Sequence, residues 1–138
     1  MADKDYSSTP LWKKLGIKVG SRLAIVGPPA GFRSLLEPLP DGVHVTQRTA
    51  GTLDVIVVFE TRASALRRRF GPLTRALGAA GGLWVAYPKR SSSITTDLTF
   101  ENVQQAGLAA GLVDNKSCSI DENWSAVRFV YRLKDRPR

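Results

Sequence analysis

Short apolar runs alternate with amphipathic segments along most of the chain. A nearly continuous apolar run is typical of a strand buried on both faces, and strict alternation is typical of a half-buried strand. The run DVIVVF is the clearest example, with four β-branched residues in six. The pattern predicts strands at residues 22–26, 43–45, 54–59, 83–87, 112–120 and 124–133.

The segments between these strands have helical periodicity or helix-end signals. The clearest helix is predicted over residues 60–77, where the apolar residues Ala63, Leu66, Phe70, Leu73 and Leu77 recur every three or four positions. Pro72 should kink this helix or start a second one. The glycine-rich residues 78–82 then predict a break before the next strand. Further helices are predicted near residues 10–15, 34–37 and 99–110.

The order of these elements predicts the fold class. Strands separated by helices favour an α/β domain with a doubly wound, mostly parallel sheet. Residues 121–123 join the last two strands, and so short a connection predicts a C-terminal antiparallel hairpin. The connection after residue 45 is short for a parallel crossover, so we expect the second strand to be a stub at the sheet edge. One domain over residues 1–138 is expected, with flexible ends at 1–8 and 134–138.

Composition narrows the classes of protein that this sequence can represent. No apolar run approaches the roughly 20 residues that span a bilayer, so no membrane association is expected. The N-terminus lacks a signal-peptide apolar region, and the single cysteine, Cys118, suits a reducing interior, which predicts a cytoplasmic protein. The formal net charge of +8 and the pI of about 10.2 favour phosphate-bearing partners. Charge dispersed in this way is also typical of a protein that merely needs solubility.

The pattern of a parallel sheet closed by an antiparallel hairpin resembles the Rossmann-like fold of S-adenosylmethionine-dependent methyltransferases. The likeness covers roughly residues 20–133. It implies that the last strand inserts between its neighbours and that one strand and helix of the usual domain are missing. The motifs TPLWKKLG, LWVAYPK, TDLT and DENWS also resemble an uncharacterised bacterial family of small methyltransferase-like domains. That second likeness implies a fold and no established activity.

The loop after the first strand departs from the methyltransferase pattern. The family has an acidic residue and a Gly-x-Gly pattern there, whereas this chain has GPPAG at residues 27–31. The two prolines have no N–H to donate. The family also has an acid after the second strand, where this chain has Thr46 and Gln47. We therefore expect no cofactor, or S-adenosylmethionine held in a non-standard way. The loop is either a rigid turn or a rebuilt ligand loop that offers the amides of Gly31 and Phe32.

A ligand crevice is expected at the carboxyl ends of the parallel strands, because ligands of open α/β sheets bind there. Lys89 and Arg90 could hold a phosphate or carboxylate, or they could belong to a solvated surface loop. Asp121 could be a general base or only a salt-bridge partner, and Trp124 could stack on a planar ligand or pack within the sheet. The predicted ligand-binding residues are Gly27, Pro28, Gly31, Phe32, Thr61, Lys89, Arg90, Ser91, Asp121 and Trp124.

Two other features have weaker functional interpretations. A basic helix face could contact nucleic acid or an acidic protein, although charged helix faces are usually just solvated; its residues are Arg62, Arg67, Arg68, Arg69 and Arg75. His44, the only histidine, has no clustered cysteines or acids, so no metal site is expected. No spacing supports a catalytic triad, and we predict no catalytic residues.

Three functional hypotheses follow from these patterns. The missing acids favour a non-catalytic binding or regulatory module that takes a small anionic or nucleotide-like ligand. The fold alone motivates a second hypothesis, a small S-adenosylmethionine-dependent methyltransferase with an atypical cofactor loop. The basic helix face motivates the third, an accessory protein that binds RNA or another protein.

Overall fold

The computed structural model describes residues 9–136 of the chain. The prediction of a flexible segment at residues 1–8 lies outside the described residues, as do the last two residues of the charged tail. The helices are α1 (Leu11–Lys14), α2 (Phe32–Leu36), α3 (Ala63–Ala76) and α4 (Phe100–Ala109), with a 3-10 turn at Leu133–Asp135. The strands are β1 (Arg22–Val26), β2 (His44–Thr46), β3 (Leu53–Phe59), β4 (Leu77–Pro88), β5 (Leu112–Ser119) and β6 (Trp124–Tyr131).

These strands form one six-stranded sheet in the order β2-β1-β3-β4-β6-β5. Strands β2, β1, β3 and β4 pair in parallel, whereas β6 is antiparallel to both β4 and β5. The last strand therefore inserts between its neighbours, as the methyltransferase resemblance implies. The mixed α/β fold and its C-terminal antiparallel hairpin are confirmed. The three-residue β2 pairs with β1 at the edge of the sheet, which is the stub that the short connection predicts.

The hydrophobic core consists of two clusters that contain alternate residues of the same strands. Ile56 and Val58 of β3 belong to a cluster with Leu66 and Phe70 of α3 and Val103 of α4. Val55 and Val57 belong to the second cluster, which contains Leu15, Phe32 and Leu36. Because successive side chains of a strand point to opposite faces, the two clusters cover the two faces of the sheet.

Strand β4 begins six residues earlier than the sequence predicts. Residues 78–82 form its first half instead of a break. Because its glycines have no side chain, the backbone of β3 and the side chain of Arg128 can approach them closely. A Cβ atom on Gly78 would lie 3.1 Å from the carbonyl oxygen of Leu53, and one on Gly81 would lie 2.8 Å from that of Asp54. Glycine at these positions therefore marks close approach to β3.

Helix α3 continues through Pro72, so the predicted second helix does not form. Proline removes the hydrogen bond to the carbonyl group four residues earlier, which here belongs to Arg68. Both residues are exposed, so water can hydrate that carbonyl group. Leu66, Phe70 and Leu73 are buried on the opposite face and hold the helix against the sheet.

Candidate functional site

The connections that follow β1, β3, β4 and β5 lie at one edge of the sheet, the carboxyl edge. The N–H of Glu60, just after β3, donates to the carbonyl oxygen of Ala86 in β4 at 3.0 Å. The N–H of Lys89, just after β4, donates to the carbonyl oxygen of Asn123 in the hairpin turn at 2.8 Å. Strand polarity therefore brings these segments together at the carboxyl edge, where ligands of such sheets bind.

A row of three aromatic side chains fills the part of this edge beside the β1–α2 loop. Phe32 contacts Phe59 edge-to-face with ring centroids 4.7 Å apart, and Phe59 contacts Trp124 in the same way at 5.1 Å. Their exposed fractions are 1%, 6% and 7%, respectively. The predicted stacking of Trp124 on a planar ligand needs an exposed ring face, and the structure gives this ring a packing role instead.

The β1–α2 loop itself offers few polar groups to a ligand. Gly27 and Gly31 have left-handed φ angles of 64° and 87°, which explains glycine at both positions. The N–H of Phe32 donates to the carbonyl oxygen of Pro29 at 3.2 Å, and ligand binding by this amide stays a prediction. Gly27, Pro28 and Gly31 are exposed and stand outside the cavities described below.

These residues do not fit the usual binding of S-adenosylmethionine. The loop contains no carboxylate and has two prolines without an N–H, so it lacks the groups that the resemblance assigns to a cofactor loop. After β2, the hydroxyl oxygen of Thr46 accepts the N–H of Arg48 at 3.0 Å, which leaves a local turn where the family has an acid. Both halves of the usual cofactor site are therefore altered.

Thr61 and the β4–α4 loop connect two helices at the carboxyl edge. The carbonyl oxygen of Thr61 accepts the hydroxyl of Thr96 at 2.6 Å and the N–H of Asp97 at 3.3 Å. The carboxylate of Asp97 accepts the N–H of Ala63, the first residue of α3, at 2.7 Å. Asp97 therefore contacts both helices, because its carbonyl oxygen also accepts the side-chain amide of Asn102 in α4 at 2.8 Å.

Thr99 is the N-cap of α4. The hydroxyl oxygen of Thr99 accepts the N–H of Asn102 at 3.2 Å, and the side chain of Asn102 accepts the N–H of Thr99 at 2.8 Å. This reciprocal pair is a capping box, and it fixes the first turn of α4 against the loop.

Lys89 is held by the hairpin through a hydroxyl group. Its ammonium group donates to the hydroxyl oxygen of Ser119 at 2.6 Å, and that hydroxyl donates to the carbonyl oxygen of Asp121 at 3.1 Å. The carboxylate of Asp121 accepts the N–H groups of Asn123 and Trp124 at 2.8 and 2.9 Å. Asp121 therefore organises the hairpin turn, and within residues 9–136 it forms no salt bridge to Lys89. A role as a general base stays a prediction.

An open cavity of about 580 Å³ lies between the end of β4, the β4–α4 loop and the start of α4. We call it the rim cavity. Its lining combines two cations, two aromatic rings and several hydroxyl groups. Its lining includes Tyr87, Lys89, Arg90, Thr99, Phe100 and Glu101.

The charges around the rim cavity are unevenly distributed. Arg90 is exposed, and Phe100 presents an apolar ring with 39% of its surface exposed. Burial raises the pKa of the Tyr87 phenol, and the nearby carboxylate of Glu101 raises this pKa further. The phenol of Tyr87 is therefore a neutral hydrogen-bonding group at ordinary pH, between an aromatic surface and two cations.

A second cavity of about 830 Å³ adjoins the rim cavity and shares Tyr87, Phe100 and Ser125 with it. Cys118 lines this adjoining cavity. Burial raises the pKa of its thiol, while the cations of Lys14, Lys116 and Lys89 act in the opposite direction. The thiol is therefore neutral over a wider pH range than a free cysteine, which is typical of a packed and unreactive cysteine.

The structure divides the residues that the sequence predicts for one site. Lys89 and Arg90 line the rim cavity, and Ser91 is exposed beside them. The loop glycines and prolines, the aromatic row and the Asp121 turn are separate features of the same edge. Sequence reasoning missed Tyr87, Phe100 and Glu101. Phe100 could have been predicted from its position. It is an apolar ring at the first position of a capped helix, where the side chain does not reach the core.

The basic face of α3 is exposed, and one of its five arginines is paired. Arg69 forms an ion pair with Glu60, whose carboxylate oxygen lies 2.9 Å from Nε. Arg62, Arg67, Arg68 and Arg75 are exposed. Binding of nucleic acid or an acidic protein by this face stays a prediction.

The described residues contain neither a metal-binding cluster nor a membrane-spanning helix. Between residues 9 and 136, no three histidine, cysteine, aspartate or glutamate side chains are grouped so as to hold a metal ion. Over the same range, no helix has the length and apolar character that crossing a membrane requires.

Comparison with solved structures identifies the fold. A SAM dependent methyltransferase from Aquifex aeolicus is similar with a TM-score of 0.66 and 14% identity, covering 86% of each chain. Magnesium protoporphyrin IX methyltransferase from Synechocystis PCC 6803 is similar with a TM-score of 0.63 and 10% identity, covering 94% of this chain and 79% of that one. Mitomycin 7-O-methyltransferase has a TM-score of 0.60 at 10% identity, covering 82% of this chain and 50% of that one.

This chain has the fold of S-adenosylmethionine-dependent methyltransferases. No family model and no curated protein sequence matches it. The likeness to an uncharacterised bacterial family of small domains therefore stays a prediction. At these low identities, the structural similarity concerns the fold and not the chemistry.

Proposed function

We propose that the rim cavity binds a small anionic, nucleotide-like ligand. The observation that supports this proposal most directly is the lining of the cavity, where Lys89 and Arg90 stand beside the rings of Tyr87 and Phe100. Cations that can pair with phosphate or carboxylate groups, next to aromatic surface for a planar base, are the two features that such a ligand requires. A cavity of about 580 Å³ also falls within the usual range for small-molecule sites.

Each of these side chains has a distinct expected contact. The guanidinium group of Arg90 can bind an anionic group through two parallel hydrogen bonds. The ammonium group of Lys89, oriented by Ser119, supplies a second charge. Phe100 and Tyr87 contact the planar part of the ligand, and Glu101 disfavours ligands that bring negative charge close to its carboxylate.

Two roles are compatible with such a ligand. The comparisons favour a catalytic role, a small S-adenosylmethionine-dependent methyltransferase with an atypical cofactor loop, because the similar magnesium protoporphyrin IX methyltransferase has S-adenosylmethionine bound. The altered β1–α2 loop favours the other role, a non-catalytic binding or regulatory module on a doubly wound sheet. The catalytic role should be tested first, since titration with S-adenosylmethionine alone can test it.

Isothermal titration calorimetry with adenosine monophosphate tests the binding proposal. We expect saturable binding that the double variant Lys89→Ala/Arg90→Ala weakens at least about tenfold, because each lost charge-assisted contact costs more than about 1 kcal/mol. Arg132→Ala is the matched control, since Arg132 is an exposed cation outside the rim cavity. No binding by the wild type, or equal binding by the double variant, would contradict the proposal.

A parallel titration with S-adenosylmethionine separates the two roles. The catalytic role predicts binding that competes with adenosine monophosphate and that the double variant also weakens. If millimolar S-adenosylmethionine produces no heat while adenosine monophosphate binds, the catalytic role is wrong and the binding module remains.

A further inference from the structure

A second basic cavity lies at the opposite edge of the sheet, near the amino ends of β1, β3 and β4. Its volume is about 510 Å³, and we call it the amino-edge cavity. The polar side chains that line it come from the end of α1, from the α1–β1 connection and from strands β3, β5 and β6. Those used below are Lys18, Ser21, Asp54, Lys116 and Arg128.

Arg128 lies across the surface of the sheet because a glycine makes room for it. It pairs with Trp84 of β4 on one side and with Lys116 of β5 on the other. A Cβ atom on Gly82 would collide with the guanidinium group of Arg128. The guanidinium group therefore extends toward the amino end of β4, along the floor of the amino-edge cavity.

The wall opposite Arg128 is held in place by specific hydrogen bonds. The indole N–H of Trp84 donates to the carbonyl oxygen of Leu15 at 2.9 Å, which fixes the α1–β1 connection to the sheet. The N–H of Lys18 donates to the hydroxyl oxygen of Ser21 at 2.9 Å, which forms a turn that carries the Lys18 side chain. The cavity is thus a built concave surface, not a gap beside a loose loop.

Among the described residues 9–136, positive side chains outnumber negative ones in this cavity. Its lining includes the cations of Lys18, Lys116 and Arg128 and one carboxylate, that of Asp54. That carboxylate accepts the backbone N–H of Arg22 at 2.8 Å through one of its two oxygens. The side-chain partner of Arg128 is neutral, the Asn115 side-chain oxygen at 3.4 Å, and in residues 9–136 no carboxylate is paired with Arg128.

We propose that the amino-edge cavity binds a small phosphate-bearing anion, separately from the ligand of the rim cavity. Several cations around one concave surface favour a ligand with at least two negative charges, which a phosphate monoester or diphosphate carries. The planar guanidinium group of Arg128 suits a phosphate group, with Lys18 and Lys116 beside it. Burial lowers the pKa of Arg128, so the charged guanidinium is partly desolvated and a bound anion would offset that cost.

Titration of the full chain with pyrophosphate at low ionic strength tests this proposal, with binding followed by calorimetry. We expect saturable binding of one pyrophosphate that Arg128→Ala and Gly82→Ala each weaken at least about tenfold. Gly82→Ala keeps every charge and only displaces the guanidinium group, so its effect reports the position of Arg128. Arg132→Ala removes the same charge outside the cavity and should bind as the wild type does.

Further variants of the amino-edge cavity and of the rim cavity allow the proposal to be tested even if one variant does not fold. If Arg128→Ala or Gly82→Ala does not fold, the exposed Lys18→Ala and Lys116→Ala replace it and should each weaken binding. Lys89→Ala/Arg90→Ala should leave the pyrophosphate binding that depends on Arg128 unchanged, since those two residues belong to the rim cavity. No saturable binding by the wild type, an equal loss with Arg132→Ala, or a loss confined to the rim variant would overturn the proposal.

Discussion

The two halves of the carboxyl edge differ in what fills them, although the same strand polarity builds both. In the closed half, beside the β1–α2 loop, the buried rings of Phe32, Phe59 and Trp124 pack edge-to-face. In the open half, the end of β4, the β4–α4 loop and the start of α4 surround the rim cavity of about 580 Å³. The fold is that of a cofactor-binding family, but apolar packing occupies the half in which the resemblance puts the cofactor loop.

This difference shows that fold and site are specified by different residues. The parallel strands determine only that the loops share an edge. Whether that edge is open depends on a few side chains, and large rings at Phe32 and Trp124 close it. Hydroxyl groups and cations in the β4–α4 loop are used in hydrogen bonds or remain at the cavity surface, so the edge stays open there.

The largest expected effect is a difference in stability loss between a variant of the closed half and a variant of the open half. Phe59→Ala removes the central ring of the aromatic row and should lower the free energy of unfolding by about 3–5 kcal/mol, as large-to-small core changes do. Phe100→Ala, in the open half, is the matched control and should cost less than about 1 kcal/mol, because its ring is 39% exposed. Urea unfolding followed by circular dichroism measures both variants. Similar losses for the two variants would contradict the division into a closed and an open half.

A smaller effect is expected at the β4–α4 loop. Asp97→Ala removes the carboxylate that accepts the N–H of Ala63 and should destabilise the chain by about 1–2 kcal/mol, the usual cost of losing a helix cap. Thr95→Ala is the control from the same loop and should be nearly neutral, since Thr95 is exposed. Thermal and urea unfolding measure the two changes. If Asp97→Ala is as stable as the wild type, the loop does not stabilise α3.

The smallest expected effect concerns the cavity that adjoins the open half. Burial raises the pKa of Cys118 above its unfolded value of about 8.5. Since the unfolded chain then releases the proton first, stability should be constant below that pH and should fall as the pH rises toward the folded pKa. Cys118→Ala should flatten this part of the stability profile. Urea unfolding between pH 7 and 10 provides the measurement, and identical slopes for both proteins would contradict the burial of the thiol.

Much of the fold is predictable because its strands have strong local patterns. The run at residues 54–59 is β-branched and apolar, and β3 forms there with one additional residue at its start. The first half of β4 escapes prediction because glycine normally weakens a strand. Its glycines are favoured only by long-range contacts with Leu53, Asp54 and Arg128, which a local pattern does not contain.

The site is less predictable than the fold, for the same reason. Strand order is enough to predict that the loops at Lys89 and Asp121 meet at one edge. It does not reveal that Trp124 faces Phe59, that Asp121 binds its own turn, or that Asp97 reaches back to α3. Each of these contacts depends on how side chains pack once the sheet has formed.

Mapping of amide resonances by nuclear magnetic resonance tests the central claim most directly. The labelled chain would be titrated with adenosine monophosphate, and the shifted signals would be assigned to the closed or the open half. We predict that the largest shifts occur at Lys89, Arg90 and Phe100, with little change at Gly27 and Gly31. Shifts centred on Gly27 and Gly31, with the β4–α4 loop unaffected, would contradict the account.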